Sequence, residues 1–305
     1  MKILIGQNHL DTLGGSETFT YALVEELHRR GHEVGVMCAR NRKGMVSDLI
    51  ESNLGIRTNI ISKEYDACFI SHNSMISQLY SLGINHGTVY QICHGTTPSL
   101  EQPTDVKGVR FISISEEVQE HLLKKDYNSE LIVNGIDLDR FKPTKINKEL
   151  QNILSLSQSD RLNKFLQKIC DRYGYNFKHH NKFLNPVFNI EEEIADADLV
   201  VSLGRGAYEA MACGKNVLIA DWRAYQNAMM DGMVTEDNIS RFISNNCSGR
   251  TERRGIDEAS IVEELMKYSL ANGEANRKFA EKNLNIKDKV DRMIHLVEGE
   301  QNETN

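Results

Sequence analysis

Short apolar runs alternate with amphipathic stretches along most of this chain. Ile3 to Ile5 predicts a first strand, and a loop follows from Gly6 to Gly15. Ser16 is placed to cap a helix running to Arg30, with Phe19, Leu23 and Leu27 at helical spacing on its inward face. Gly31 stops that helix, and Glu33 to Cys38 predicts the next strand. The rhythm repeats at Ala67 to Ser71, Thr88 to Cys93, Phe111 to Ile114, a helix from Ser115 to Lys125, and Leu131 to Val133. Such alternation specifies a mostly parallel sheet with helices on both faces, and its ligands sit beyond the carboxyl ends of the strands.

After a linker from about Lys142 to Gln151 the pattern resumes. Asn152 to Leu156 predicts a strand, Arg161 to Asp171 a helix, and Glu191 to Ala195 a short helix. Val200 to Leu203 is a buried strand broken by Gly204-Arg205-Gly206; Ala207 to Cys213 supplies helix formers and Gly214 ends them. Val217 to Ala220 is the next strand, Asp221 to Arg223 a loop, and Asn238 to Ser244 a helix. A terminal helix carries Ile286, Val290, Met293, Ile294 and Val297 on one face, and the polar end from Glu298 to Asn305 is expected to fray.

Composition narrows the class. With 305 residues there is room for two α/β domains, and no apolar run is long enough to span a membrane. A net charge of −7 argues against a nucleic-acid surface, so no nucleic acid is expected as a partner. Cys38, Cys68, Cys93, Cys170, Cys213 and Cys247 form no CxxC pair, and scattered free thiols favour a reducing, cytoplasmic setting.

The chemistry concentrates between Gly204 and Glu209. A glycine-lined turn after a strand points backbone N–H groups and a helix N-terminus at a ligand, and Arg205 adds positive charge, which suits phosphate. Glu209 is placed to accept hydrogen bonds from ribose hydroxyls; a plain exposed helical residue is the other reading of the same position. Gly14-Gly15-Ser16-Glu17 is a second anion-facing turn. A nicotinamide site is excluded, since Gly-x-Gly-x-x-Gly does not follow the first strand and the second ends in Cys38-Ala39-Arg40. His94 follows a strand directly, a common place for a structural as well as a catalytic histidine; His9 is a weaker candidate. No Asp-x-Asp pair ends a strand, so metal-independent chemistry without a cofactor is expected.

Glu209-Ala210-Met211-Ala212-x-Gly214 resembles the donor-binding core of the retaining family 4 glycosyltransferases. The resemblance extends to Gly14–Glu17, similar to that family's Gly-Gly-x-Glu loop near the donor phosphates, and to Asn134-Gly135-Ile136-Asp137 with Phe141. It implies the GT-B fold: two Rossmann-like α/β domains facing each other across a deep cleft. The expected domains are 1–145, on the acceptor side, and 146–305, binding the nucleotide sugar, with a terminal helix (about 285–298) returning to the first. It further implies that Glu209 holds the ribose, that Gly14, Gly15, Gly204 and Gly206 approach the phosphates, and that His94 faces donor sugar and acceptor.

Two departures stand out. The family's first glutamate is replaced by Val201, as in a shorter subgroup with a Leu-Gly-Arg turn, and Gln158 stands where a phosphate-binding arginine belongs. Arg161 and Lys164, one helical turn apart, either take over those cations or face solvent. The expected activity is hexosyl transfer, with retention, from a nucleotide-diphosphate sugar to a hydroxyl acceptor (saccharide, lipid or small molecule), a peripheral membrane contact staying open. A GT-B sugar-nucleotide epimerase or hydrolase and a non-catalytic binding protein are the alternatives.

Overall fold

The computed structural model describes residues 1–224 and 227–303. The chain divides into two compact units, Met1–Gly135 together with the segment from Ile286 onward, and Ile136–Asn285. Residues 136–145, read from the sequence as the end of the first domain, pack with the second unit: the Ile136 N–H donates to Leu284 O and the Thr144 N–H to Cys213 O.

In the first unit, β1 (Lys2–Gln7), α1 (Gly15–Arg29), β2 (Glu33–Cys38), α2 (Met45–Leu54), β3 (Ala67–Ser71), α3 (Asn73–Ser81), β4 (Thr88–Cys93), β5 (Arg110–Ser113), α4 (Glu116–Leu123) and β6 (Ser129–Leu131) follow in order. The sheet is parallel throughout, ordered β2-β1-β3-β4-β5-β6. Central strands such as β3 are buried on both faces, which is why they read as uninterrupted apolar runs. Phe19, Leu23 and Leu27 of α1 are buried as their spacing predicts, each contributing about 1.5–3 kcal/mol. Ser115 caps α4 by accepting the Val118 N–H. Ser16 does not cap α1: Gly14 is the N-cap residue, and the Ser16 hydroxyl turns to Glu17 Oε2, donating at 2.8 Å.

The second unit contains β7 (Asn152–Ser155), α5 (Asp160–Tyr173), β8 (Asn176–His179), α6 (Ile190–Ala195), β9 (Leu199–Ser202), α7 (Gly204–Ala212), β10 (Asn216–Asp221), β11 (Met229–Met233), α8 (Ile239–Ser244), β12 (Arg254–Gly255), α9 (Glu258–Leu265) and α10 (Leu270–Asn283). Its sheet is ordered β12-β11-β10-β9-β7-β8. The first four strands in sequence pair in parallel; β11 runs antiparallel to β10, because the 222–228 connection is too short for a crossover, and β12 pairs antiparallel with β11. Asp221, expected in a loop, is the last residue of β10. The buried Asp198 carboxylate accepts backbone N–H groups of Asn147, Gln151 and Asn152 and so fixes the entry to β7.

α11 (Ile286–Glu303) belongs to the first unit, burying Ile286, Val290, Met293 and Val297. Arg30 anchors it, donating to Lys287 O at 2.7 Å and pairing with Asp291. The helix extends to Glu303, and the last two residues lie outside the described ones.

Candidate functional site

In the second unit the site is built where β9 hands over to α7. Leu203 is extended and serves as N-cap, and the helix begins at Gly204, three residues earlier than the sequence suggests. Gly206 permits this tight junction, since a Cβ there would sit 2.4 Å from Ser202 Oγ. A second segment backs the first turn: Cys247 O accepts the Gly204 N–H at 3.2 Å, and Asn246 Oδ1 accepts the Tyr208 hydroxyl at 3.0 Å. That segment is itself held by the buried Asp231 carboxylate, which accepts N–H groups of Gly249, Thr251 and Glu252.

The early start places Arg205 and Glu209 one helical turn apart inside α7, with Arg205 Nε 2.9 Å from Glu209 Oε1. The sequence reading gave them separate tasks on phosphate and ribose; here each is the other's partner. Both are more than nine-tenths buried. Burial lowers the Arg205 pKa against the opposing pull of Glu209. Burial likewise raises the Glu209 carboxyl above its ordinary range, although Arg205 and Arg140 draw it down. Arg140 is a cation that sequence reasoning missed. Its guanidinium lies 4.3 Å from the Phe188 ring centroid and donates to Glu191, and its charge acts on both members of the buried pair. The only hint was its place just after Asp137, whose carboxylate accepts the Arg140 N–H.

Arg161 and Lys164 lie on α5 as expected, and both are exposed. Arg161 rests 5.2 Å from the ring centroid of Trp222. Among the described residues no group of three or more His, Cys, Asp or Glu side chains is placed to hold a metal ion.

In the first unit, loops beyond β1, β3 and β4 bring His9, His72 and His94 to the carboxyl edge of the sheet. The Gly14-Gly15 turn differs from the anion-facing cradle expected of it, because the protein's own carboxylate fills it. Glu17 is buried, accepts the Thr12 and Ser16 hydroxyls, and has Oε1 3.3 Å from His9 Nε2. A Cβ on Gly14 would lie 2.4 Å from Glu17 Oε2, so this glycine makes room for the carboxylate. His94 Nε2 lies 3.0 Å from Ser71 Oγ, and the His94 N–H donates to Glu101 Oε2 at 2.8 Å. His72 and Glu101 carried no sequence signal.

No protein-family profile matches this chain, and no curated protein matches it in sequence. Solved structures do resemble it. An alpha-glucosyltransferase in complex with UDP and a 13-mer DNA containing an HMU base is similar with TM-score 0.60 and 12% identity, over 97% of this chain and 99% of that one. A DNA-modifying beta-glucosyltransferase, solved in the presence and absence of uridine diphosphoglucose, is similar with TM-score 0.51 and 12% identity, over 98% and 100%. MurG of Acinetobacter baumannii gives TM-score 0.52 and 11% identity, again over 98% and 100%. At such identities the likeness shows the fold, two Rossmann-like α/β domains of the GT-B type.

One expectation is overturned. The exclusion of nucleic acid as a partner fails, because structures of this fold include glucosyltransferases in complex with DNA. The charge argument failed because a net −7 describes the whole chain and no single face of it. Arg161, Lys164, Lys168 and Arg172 occupy exposed positions along one side of α5 within this acidic protein.

Proposed function

We propose that this protein is a glycosyltransferase that moves a hexosyl group from a nucleoside diphosphate sugar to a hydroxyl acceptor. The observation that carries this reading is the buried Arg205–Glu209 pair in the first turns of α7, beyond the carboxyl end of β9. On a parallel sheet that is where ligands bind, and a helix N-terminus there favours phosphate. A diphosphate would give Arg205 a second anion, and ribose hydroxyls would donate to Glu209. Each ligand group relieves the burial strain on one partner.

Resemblance of Glu209–Gly214 to the family 4 core supports retention of configuration and metal-independent transfer. Retention of this kind asks the protein for positioning and electrostatic stabilisation of the departing diphosphate more than for a covalent nucleophile. Uridine diphosphate sugars are the first donors to test, given the UDP and uridine diphosphoglucose in the structurally similar enzymes. Hydroxymethylated DNA belongs among the acceptors tested beside saccharides and lipids, since DNA with an HMU base is present in one of them. Six buried free thiols support a reducing, cytoplasmic setting.

The deciding experiment is UDP release from a panel of UDP-sugars, with and without acceptors and with and without EDTA, followed by assignment of the product anomer by NMR. Acceptor-dependent release unchanged by EDTA is expected. Release that yields only free or epimerised sugar would refute transfer.

A further inference from the structure

Three parallel strands that lie side by side in the first unit, β1, β3 and β4, are each followed within two residues by a histidine: His9, His72 and His94. Two of the rings touch, and Glu101 links them to the backbone of the third residue. His9 and His72 stack at 5.0 Å with planes 15° apart. His72 Nε2 lies 3.5 Å from Glu101 Oε1, while Glu101 Oε2 accepts the backbone N–H of His94. Glu101, in the 3₁₀ turn Ser99–Glu101, therefore ties the loop after β3 to the loop after β4.

The tautomer of the middle ring follows from its contacts. The Asn8 N–H points at His72 Nδ1 at 3.3 Å, so the ring proton belongs on Nε2, facing Glu101. His72 is buried, with φ 74° and ψ 127°, a conformation unfavourable for any residue with a Cβ. The ring's contacts with Asn8, His9 and Glu101 are what hold that backbone in place. Burial alone would raise the Glu101 carboxyl, but the His72 hydrogen bond and the neighbouring His94 and His72 rings hold it below its ordinary value. The carboxylate is thus kept as the acceptor that both loops need.

We infer that Glu101, acting with His72, is a positioning residue for sugar transfer: it fixes the loop that presents His94 at the carboxyl edge of the first unit's sheet. This rests on the proposed transferase reading. Neither residue contacts a substrate in the proposal; both act through His94. A misplacement of about 1 Å at such a group costs on the order of a hundredfold in rate.

The test compares Glu101→Ala, Glu101→Gln and His72→Gly with wild type in steady-state transfer from a UDP-sugar, beside equilibrium binding of UDP. Glu101→Ala should lower kcat about a hundredfold. Glu101→Gln, which retains an acceptor for the His94 N–H, should lower it about tenfold. UDP affinity, assigned to the second unit, should stay within about twofold in all three. His72→Gly separates ring from backbone, because glycine tolerates the unusual φ. Its kcat should still fall about tenfold, measured below the variant's own melting transition. Wild-type kcat in Glu101→Ala, or in His72→Gly, overturns the inference alone. An equal loss of kcat and UDP affinity also overturns it, since that marks general disruption. If wild type turns over no sugar donor, the transferase reading falls and this inference with it.

Discussion

Replacing the two members of the buried pair in α7, singly and together, should give a strongly non-additive stability cycle. Removing the carboxylate in Glu209→Leu leaves the Arg205 guanidinium buried without its partner at 2.9 Å. Loss of one member of a buried ion pair costs about 3–5 kcal/mol. Removing the cation in Arg205→Met should cost less, roughly 1–3 kcal/mol, because the stranded carboxylic acid can take up a proton and become neutral. The double variant Arg205→Met/Glu209→Leu strands neither charge and should lie within about 1 kcal/mol of wild type, or above it. Trp222 is the single tryptophan of the chain and lies in the second unit, so its fluorescence during urea unfolding reports the unit that contains the pair. The pH dependence has a definite sign. Burial raises the folded-state pKa of Glu209 above the unfolded value of 4.5. The native state therefore binds this proton first as pH falls, and the penalty at Glu209 eases as pH drops through the raised pKa towards 4.5. Without Arg205 the Glu209 pKa rises further, so the gap between Arg205→Met and wild type should narrow as pH falls from the variant's pKa to the wild-type one, above that window. A double variant no more stable than the worse single one would refute the description of Arg205 and Glu209 as a coupled buried pair.

Other outcomes follow from particular contacts. Gly14→Ala sets a methyl group against the Glu17 carboxylate and should destabilise the first unit by about 1–3 kcal/mol, read by thermal unfolding; unchanged stability would show that the carboxylate moves freely. Arg161→Ala should shift Trp222 emission through loss of the stacked guanidinium while leaving UDP affinity within about twofold; a tenfold loss of affinity would return Arg161 to the diphosphate. Glu51, held by Lys43 and Thr58, has its carboxyl pKa lowered from 4.5 to about 2. Its stabilising contribution, present above 4.5, should disappear as pH falls towards 2, so Glu51→Gln and wild type converge in acid; a constant difference would contradict the assignment.

Much of the first unit was legible because its central strands are buried on both faces and appear as plain apolar runs, as at Ala67–Ser71. The Gly214 helix stop was equally legible, and its φ of 69° is the backbone that favours glycine. Elements without an apolar signature were missed. α10 turns Gly273, Asn276 and Ala280 inward, and Asn276 donates to Lys215 O, so no hydrophobic stripe marks the helix. β8 is an edge strand with mostly exposed residues, and β11 carries Asp231 and Gly232 through a buried position. The sites divide in the same way. Glu209 and Arg205 were singled out as candidates from local order along one turn, but their mutual pairing depends on where α7 begins. The Gly14–Glu17 spacing was legible, but not that the Glu17 carboxylate folds back over Gly14 and fills the turn itself. The meeting of His72 with Glu101 is a product of three-dimensional approach between loops, and spacing along the chain carries no trace of it.

The central claim is that the first turns of α7 bind the nucleotide diphosphate. Isothermal titration of UDP into wild type and into the Arg205→Met/Glu209→Leu double variant tests it most directly, because the variant is expected to be stably folded while lacking both binding groups. Wild type should bind one UDP per chain, and the variant should bind at least about a hundredfold more weakly, the loss of hydrogen bonds from two charged groups. Equal affinity in the two proteins, or no binding by wild type, would contradict the account.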